Sequence, residues 1–163
     1  MGSAPNMTHP VVLAYDGSSD AKHALRVAGT LLSGRAAVVV HVYTPSTPPV
    51  TAAAGPGAAL AIDPELAVEL EERARERASE VLREGVELAR AAGFAPEPEL
   101  AVGDGVHGEW HAIVAVAERR DASAIVIGHR HLSWIEEKLL GSVDSAVVRH
   151  ADRPVLVVPA ATQ

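Results

Sequence analysis

Five short apolar segments alternate with four segments of helical periodicity along this chain. The apolar segments span Val11 to Tyr15, Ala36 to Val42, Pro98 to Val102, Ala124 to Ile127 and Val155 to Val158. This order favours a parallel sheet, because each helix carries the chain back to the end where the next strand begins. Right-handed crossovers then cover both faces of the sheet with helices. The sequence therefore predicts an α/β fold with a single five-stranded parallel sheet.

The predicted helices are bounded by capping and helix-breaking residues. The first spans Ser19 to Leu32, and the third ends near Arg120. The second spans Pro64 to about Ala92, with Asp63 as its N-cap and Gly93 as its stop. Its charged residues predict a solvated face, and its apolar positions predict a buried stripe formed by Leu66, Leu70, Ala74, Ala78, Val81 and Leu82.

Composition narrows the classes of protein to which the chain can belong. Hydrophobic residues make up 48% of the sequence but aromatic residues only 3%, which predicts an aliphatic core. The absence of cysteine excludes disulfides, thiol chemistry and cysteine zinc sites. A net charge of -7 provides no basic surface for nucleic acid or for an anionic membrane. An anionic ligand must therefore be held by local geometry.

The 163 residues are sufficient for one domain. We expect residues 1–9 to form a flexible tail and residues 10–160 to form the domain. The segment from Thr44 to Asp63 is rich in Pro, Ala, Gly and Thr, and it is predicted to be a mobile loop. Because the sequence shows neither a secretory signal pattern nor an apolar run of membrane-spanning length, the expected compartment is the cytoplasm.

The segment from Ile125 to Pro159 has the order strand, glycine loop, helix and strand. The first of these strands ends at Gly128, and the helix begins at Gly141-Ser142. A helix N-terminus offers unbonded amides and a partial positive charge, and glycines allow close approach to the backbone. The segment therefore predicts an anion site, although the same residues also serve as a turn and a cap in proteins without a ligand.

Several short motifs together resemble the universal stress protein family. They are Ala14-Tyr15-Asp16-Gly17-Ser18, His41-Val42, Ile127-Gly128-His129-Arg130, Gly141-Ser142-Val143, and Arg149-His150 before the last strand. The resemblance covers Val11 to Pro159. It implies a flavodoxin-like fold of the adenine nucleotide alpha hydrolase type, with strand order 3-2-1-4-5. Ligands of such sheets bind where the strand order reverses, which here lies between the first and fourth strands.

The resemblance also implies a site for ATP or AMP, with or without Mg²⁺ and without zinc. Adenine and ribose would be surrounded by the residues Ala14, Tyr15, Asp16 and Val42. The phosphates would lie against the residues Ile127, Gly128, Arg130, His131, Gly141, Ser142 and Val143. A homodimer through the last strand, Val155 to Val158, is a further implication, with neither nucleic acid nor a membrane as partner. Any ATP hydrolysis would be slow, since Asp16 is the only candidate general base.

Two residues depart from the pattern of the nucleotide-binding members, Gly-x2-Gly-x9-Gly-Ser/Thr. His131 replaces the second glycine, and Asp144 stands where Ser or Thr is frequent. The carboxylate of Asp144, in the first turn of the helix, could occupy the amide-lined site itself. These departures leave open a second interpretation, a stress protein that binds no nucleotide and acts through protein contacts.

Two other patterns are assigned no function. Gly103 to Gly108 fits the spacing of a dinucleotide-binding loop, but the acidic residue expected at the end of the next strand is missing, and we interpret it as a turn. A zinc site could be drawn from the sequence pattern alone. Its ligands would come from His107, Glu109 and His111 together with His129 and His131. Because Glu109 is one position late for a metalloprotease helix, we interpret these histidines as exposed or capping residues.

Overall fold

The computed structural model of the protein describes residues 9–45, 64–103, 108–129 and 143–161. Within these ranges the chain forms five strands and four helices in strict alternation. They are β1 (Val11–Ala14), α1 (Ser19–Leu32), β2 (Ala36–Tyr43), α2 (Pro64–Ala91), β3 (Ala95–Val102), α3 (Glu109–Arg119), β4 (Ala124–Gly128), α4 (Val143–His150) and β5 (Val155–Val158).

All strand pairs are parallel, and the order across the sheet is β3-β2-β1-β4-β5. The central strand β1 places Leu13 opposite Val39 of β2 and Val126 of β4. The chain moves outward from β1 in one direction through β3 and in the other through β5. The predicted α/β class and the 3-2-1-4-5 order are therefore confirmed, and the order reverses between β1 and β4.

Alternate residues of the strands supply two separate cores, one on each face of the sheet. Leu13 and Val39 pack in the core with residues of α1 and α2, whereas Val12 and Val38 pack in the core with residues of α3 and α4. Burying an aliphatic side chain of this size contributes about 1.5–3 kcal/mol. The aliphatic core predicted from composition is present on both faces.

The predicted stripe of α2 is wrong in its first half. Leu66 and Leu70 are 47% and 43% exposed, and deep burial along the helix begins at Ala78. The helix has 28 residues, about 42 Å, whereas the adjacent strand β3 has eight residues, about 26 Å. The sheet is therefore too short to cover the whole helix. Within the described residues, no helix combines the length and apolarity needed to cross a bilayer.

Strand β3 begins at Ala95, three residues earlier than the predicted start at Pro98. Prolines argue against a strand because they lack the amide hydrogen, but β3 is an edge strand of the sheet. The Ala95 amide donates to the Arg35 carbonyl at 2.9 Å, so alternate residues face β2. Pro96 and Pro98 therefore face the outer edge, where no amide is needed.

Candidate functional site

A cavity of about 270 Å³ opens at the carboxyl ends of β1, β2 and β4. It lies where the strand order reverses, the position at which α/β sheets bind ligands. The volume is just below the range of roughly 300–1,000 Å³ typical of small-molecule pockets. Residues of the first turns of α1, α3 and α4 complete its wall, among them Ala21, Glu109 and Val143.

The floor and sides of the cavity form an apolar slot. It is built by one face of three strands together with α3, through Ala14, Val40, Val42, Ile113 and Ile127. These residues come from the α3 and α4 side of the sheet. A planar apolar group, such as a heterocyclic base, is the kind of ligand that such a slot accommodates.

The turn after β1 holds a carboxylate at this cavity. Asp16 accepts a hydrogen bond from the Ser18 amide at 2.9 Å through its Oδ1 atom. The Ser18 hydroxyl in turn accepts from the Ala21 amide at 3.1 Å and caps α1. Helix α1 and the Asp16 side chain are therefore fixed by the same turn.

His41 ties the end of β1 to β2. The Tyr15 amide donates to the Val40 carbonyl at 2.9 Å, and the Nδ1 atom of His41 lies 2.8 Å from the Tyr15 carbonyl oxygen. Because a carbonyl oxygen only accepts, His41 carries a hydrogen on Nδ1. Both backbone polar groups of Tyr15 are thus bonded, which positions the following Asp16.

The Tyr15 side chain points to the opposite face of the sheet, where its ring packs against Gly85. Its hydroxyl donates to Glu84 at 2.7 Å, and Lys22 donates to the other carboxylate oxygen at 2.7 Å. Burial and the bond to Glu84 raise the pKa of Tyr15 far above its usual range, so the phenol stays protonated. The hydrogen bond from Lys22 lowers the pKa of Glu84. The phenol therefore anchors the strand end and is not a ligand group.

Helix α4 is held beside the cavity by an aromatic contact. The rings of Trp110 and His150 are stacked, with centroids 4.4 Å apart and an interplanar angle of 22°. Val147 of α4 is fully buried in the core on the same face. These contacts fix α4 against α3 and so position Val143 at the cavity wall.

The structure brings together every predicted site residue that it describes. Around the one cavity lie Ala14, Tyr15, Asp16, Val42, Ile127, Gly128 and Val143. The other predicted site residues lie outside the described residues, and they are Arg130, His131, Gly141 and Ser142. The same holds for residues 46–63 of the predicted loop, for residues 1–8 of the tail and for His107.

Sequence reasoning missed several residues of the cavity wall as site residues, namely Ser18, Ala21, Val40, His41, Glu109 and Ile113. His41 stands in a motif shared with the stress proteins, but its bond to the Tyr15 carbonyl is a tertiary contact. Glu109 was considered only as part of a metal pattern. Its position as the first residue after the β3–α3 connection was the available signal, because such connections surround the ligand in α/β sheets.

His111 of α3 and His129, which follows β4, belong to no metal cluster in the part of the chain that the structure describes. There, no group of three or more His, Asp or Glu side chains is arranged to hold a metal ion. His107 and His131, which would complete the pattern drawn from the sequence, lie outside the described ranges.

The sheet order and the cavity at its reversal point define a single α/β domain of the flavodoxin-like kind, with an open cavity at the strand ends. The sequence profile of the universal stress protein family matches residues 7–159. The protein belongs to this family.

Individual relatives agree with this assignment. The universal stress protein Sll1388 of Synechocystis is 38% identical over 89 residues, which span 55% of this chain and 54% of that relative. A universal stress protein solved in complex with cAMP is 25% identical, with a TM-score of 0.66 and coverage of 96% of this chain and all of that one. The Archaeoglobus fulgidus universal stress protein in complex with dAMP is 28% identical, with a TM-score of 0.61 and coverage of 93% and 98%.

Proposed function

We propose that this protein is an adenine-nucleotide-binding module of the stress response that acts in the cytoplasm. The observation that carries the proposal is the convergence of the predicted residues of β1, β2, β4 and α4 on one cavity at the reversal point of the sheet. Two similar structures were solved with the adenine nucleotides cAMP and dAMP, which supports the same ligand class here. ATP and AMP are the proposed ligands, with or without Mg²⁺.

In this proposal the adenine ring lies in the apolar slot, and its amino group donates to Asp16. The phosphates lie toward Gly141 and Ser142, which directly precede the first residue of α4. The amides of a helix N-terminus then face the phosphates, as they do in many anion sites. Because the sequence motifs of the site supply no candidate general base apart from Asp16, we expect any ATP hydrolysis to be slow.

Asp16→Asn tests the role of the carboxylate. Asparagine retains an oxygen that can accept from the Ser18 amide, so the turn is preserved. Its amide nitrogen, however, replaces the acceptor that we assign to the adenine amino group. We expect titration calorimetry to give a dissociation constant for AMP of about 10 μM to 1 mM for the wild type. The variant should bind about tenfold more weakly or worse, the effect of one lost hydrogen bond to a charged group.

If the wild type and Asp16→Asn bind AMP with equal affinity and have equal thermal stability, Asp16 makes no contact with the nucleotide and the role assigned to it is wrong. If neither protein binds AMP, ATP or cAMP, the alternative function is favoured, a stress protein that acts through protein contacts. The departures at His131 and Asp144 are the sequence features that support this alternative.

We further propose that the protein forms a homodimer through β5. In the part of the chain that the structure describes, β5 pairs only with β4, and Val155, Leu156 and Val157 are partly exposed. An apolar edge strand of this kind promotes association unless it is covered. A second copy of the same strand covers it with closed two-fold symmetry.

The opposite edge of the sheet is unsuited to such pairing. Pro96 and Pro98 remove amide donors from the outer side of β3. On the same strand, Glu99 forms an ion pair with Arg119, the last residue of α3, and Glu97 forms one with Arg120, the C-cap of that helix. Prolines and charged side chains are the features that protect edge strands from pairing. Association through the sheet is therefore directed to β5.

Val157→Pro is expected to convert the dimer into a monomer. The Ile125 amide donates to the Pro154 carbonyl and the His129 amide to the Val158 carbonyl, so alternate residues of β5 face β4. Val155 and Val157 consequently direct their amides to the outer edge, and proline at 157 removes a donor that the isolated domain does not use. Light scattering should show half the wild-type mass. Val157→Ala, which keeps the amide, is the matched control and should stay dimeric. A Val157→Pro dimer would contradict pairing through β5.

A further inference from the structure

Glu109 is a carboxylate on the cavity wall to which neither the motifs nor the family resemblance assigns a role. It is the first residue of α3 and it borders the same cavity as Asp16. Two other polar wall residues, Ser18 and His41, are engaged in bonds that hold the turn and the strand end. Among the described residues, the Glu109 carboxylate has neither a hydrogen-bond nor an ion-pair partner. It can therefore bind a ligand without breaking a bond of the protein.

The charge of Glu109 restricts which part of a nucleotide can lie against it. Glu109 lies in the first turn of α3, where the positive end of the helix dipole makes a negatively charged side chain favourable for the helix. An ionised carboxylate only accepts hydrogen bonds, and it repels a phosphate. Of the parts of the nucleotide itself, the one opposite Glu109 must therefore be a hydrogen-bond donor. In an adenine nucleotide such donors are the amino group of the base and the hydroxyls of the ribose.

The geometry of α3 distinguishes between these two donors. Glu109 and Ile113 are four residues apart, so they lie on the same face of the helix about 6 Å apart along its axis. Ile113 is 4% exposed and lines the apolar slot, whereas Glu109 is exposed. A base in the slot thus lies beside Ile113, and the sugar attached to it lies one turn further out, beside Glu109.

We propose that Glu109 accepts a hydrogen bond from a ribose hydroxyl and selects ribonucleotides over deoxyribonucleotides. This inference rests on the proposed nucleotide function. In this arrangement the Asp16 carboxylate binds the base and the Glu109 carboxylate binds the sugar, so the two carboxylates of the cavity recognise different parts of the ligand. It also directs the phosphates away from α3 and toward the N-terminus of α4.

The test is titration calorimetry of the full chain with AMP, 2′-deoxy-AMP and 3′-deoxy-AMP. We expect the wild type to bind at least one of the deoxy ligands about tenfold more weakly than AMP, the loss expected for one bond to a charged acceptor. In Glu109→Ala the preference for AMP should fall below about twofold, because the deoxy ligand loses nothing there. Glu118→Gln is the control for charge. It removes the same charge from the other end of α3, about 13 Å away along the axis, and should keep the preference.

Each result has a distinct meaning. If no variant binds AMP, the proposed function fails and the inference fails with it. If AMP binds but the wild type shows no preference against either deoxy ligand, or if Glu109→Ala keeps the preference, the inference alone is overturned. Purine riboside monophosphate, which lacks the amino group, completes the test. If Glu109→Ala lowers the affinity for AMP but not the affinity for purine riboside monophosphate, Glu109 binds the amino group of the base, and the assignment to ribose is wrong.

Discussion

Gly128→Ala is expected to lower the free energy of unfolding by about 2 kcal/mol and to abolish measurable AMP binding. A Cβ atom at Gly128 would lie 2.7 Å from the Asp20 carbonyl oxygen, 2.8 Å from the Asp20 carbonyl carbon and 3.1 Å from the Ala21 nitrogen. All three are backbone atoms in the first turn of α1, so they cannot move as a flexible side chain would. Relieving the overlap requires β4 and α1 to separate.

The same displacement would disturb the candidate site. The first turn of α1 is capped by Ser18, which also holds Asp16 through its amide. Gly128 itself borders the cavity. Stability should be measured by urea unfolding and affinity by calorimetry. Gly103→Ala is the matched control, because its Cβ would lie 3.3 Å from the Thr44 hydroxyl and 3.4 Å from a Val42 methyl group. A Gly128→Ala protein with wild-type stability and affinity would contradict the close packing of β4 on α1.

Arg153→Met is expected to destabilise the fold by about 3 kcal/mol without changing the affinity for AMP. The Arg153 guanidinium donates to the Ala117 carbonyl at 2.6 Å and to the Ala122 carbonyl at 2.9 Å. Ala117 is buried near the end of α3, Ala122 is buried in the connection between α3 and β4, and Arg153 itself is only 13% exposed. Methionine retains the apolar stem but leaves the Ala122 carbonyl without this donor. In a domain of this size, the melting temperature should fall by roughly 6–12 °C.

Asp152→Ala is the control for Arg153. The Asp152 carboxylate pairs with the same guanidinium but is 62% exposed, and exposed pairs contribute at most about 1 kcal/mol. The melting temperature of Asp152→Ala should therefore stay within about 4 °C of the wild type. Similar losses in the two variants would mean that the ion pair, and not the capping of the carbonyls, is the stabilising contact. Because Arg153 precedes β5, at the end of the sheet opposite the cavity, its effect on binding should be negligible.

The sequence predicted the elements best where local signals and packing agree. Helix α1 and strand β5 have the predicted bounds, because a serine cap and flanking prolines mark their ends. The strand order could not be obtained from the residues and came from the family resemblance. Pro96 concealed the start of β3, since its tolerance depends on β3 being an edge. Leu66 was predicted to be buried because periodicity gives the direction of a helix face but not the length of the sheet beneath it.

The candidate site was predictable in part for the same reason. The carboxyl ends of parallel strands meet at one edge of the sheet, and Asp16, Val42 and Gly128 all lie within two residues of such an end. His41 and Glu109 belong to the same edge, but their importance depends on contacts across the fold. The bond from His41 to the Tyr15 carbonyl and the lack of a partner for Glu109 among the described residues are visible only in three dimensions.

The most direct test of nucleotide binding is a titration of ¹⁵N-labelled protein with AMP, followed by the amide shifts in NMR spectra. At about 5 mM AMP, a site with the expected affinity would be largely occupied. We expect the largest shifts at Tyr15, Asp16, Val42, Gly128 and Val143, with little change at Arg153 and β5. Unchanged spectra at this concentration, or shifts concentrated away from the strand ends, would contradict the claim that this cavity binds an adenine nucleotide.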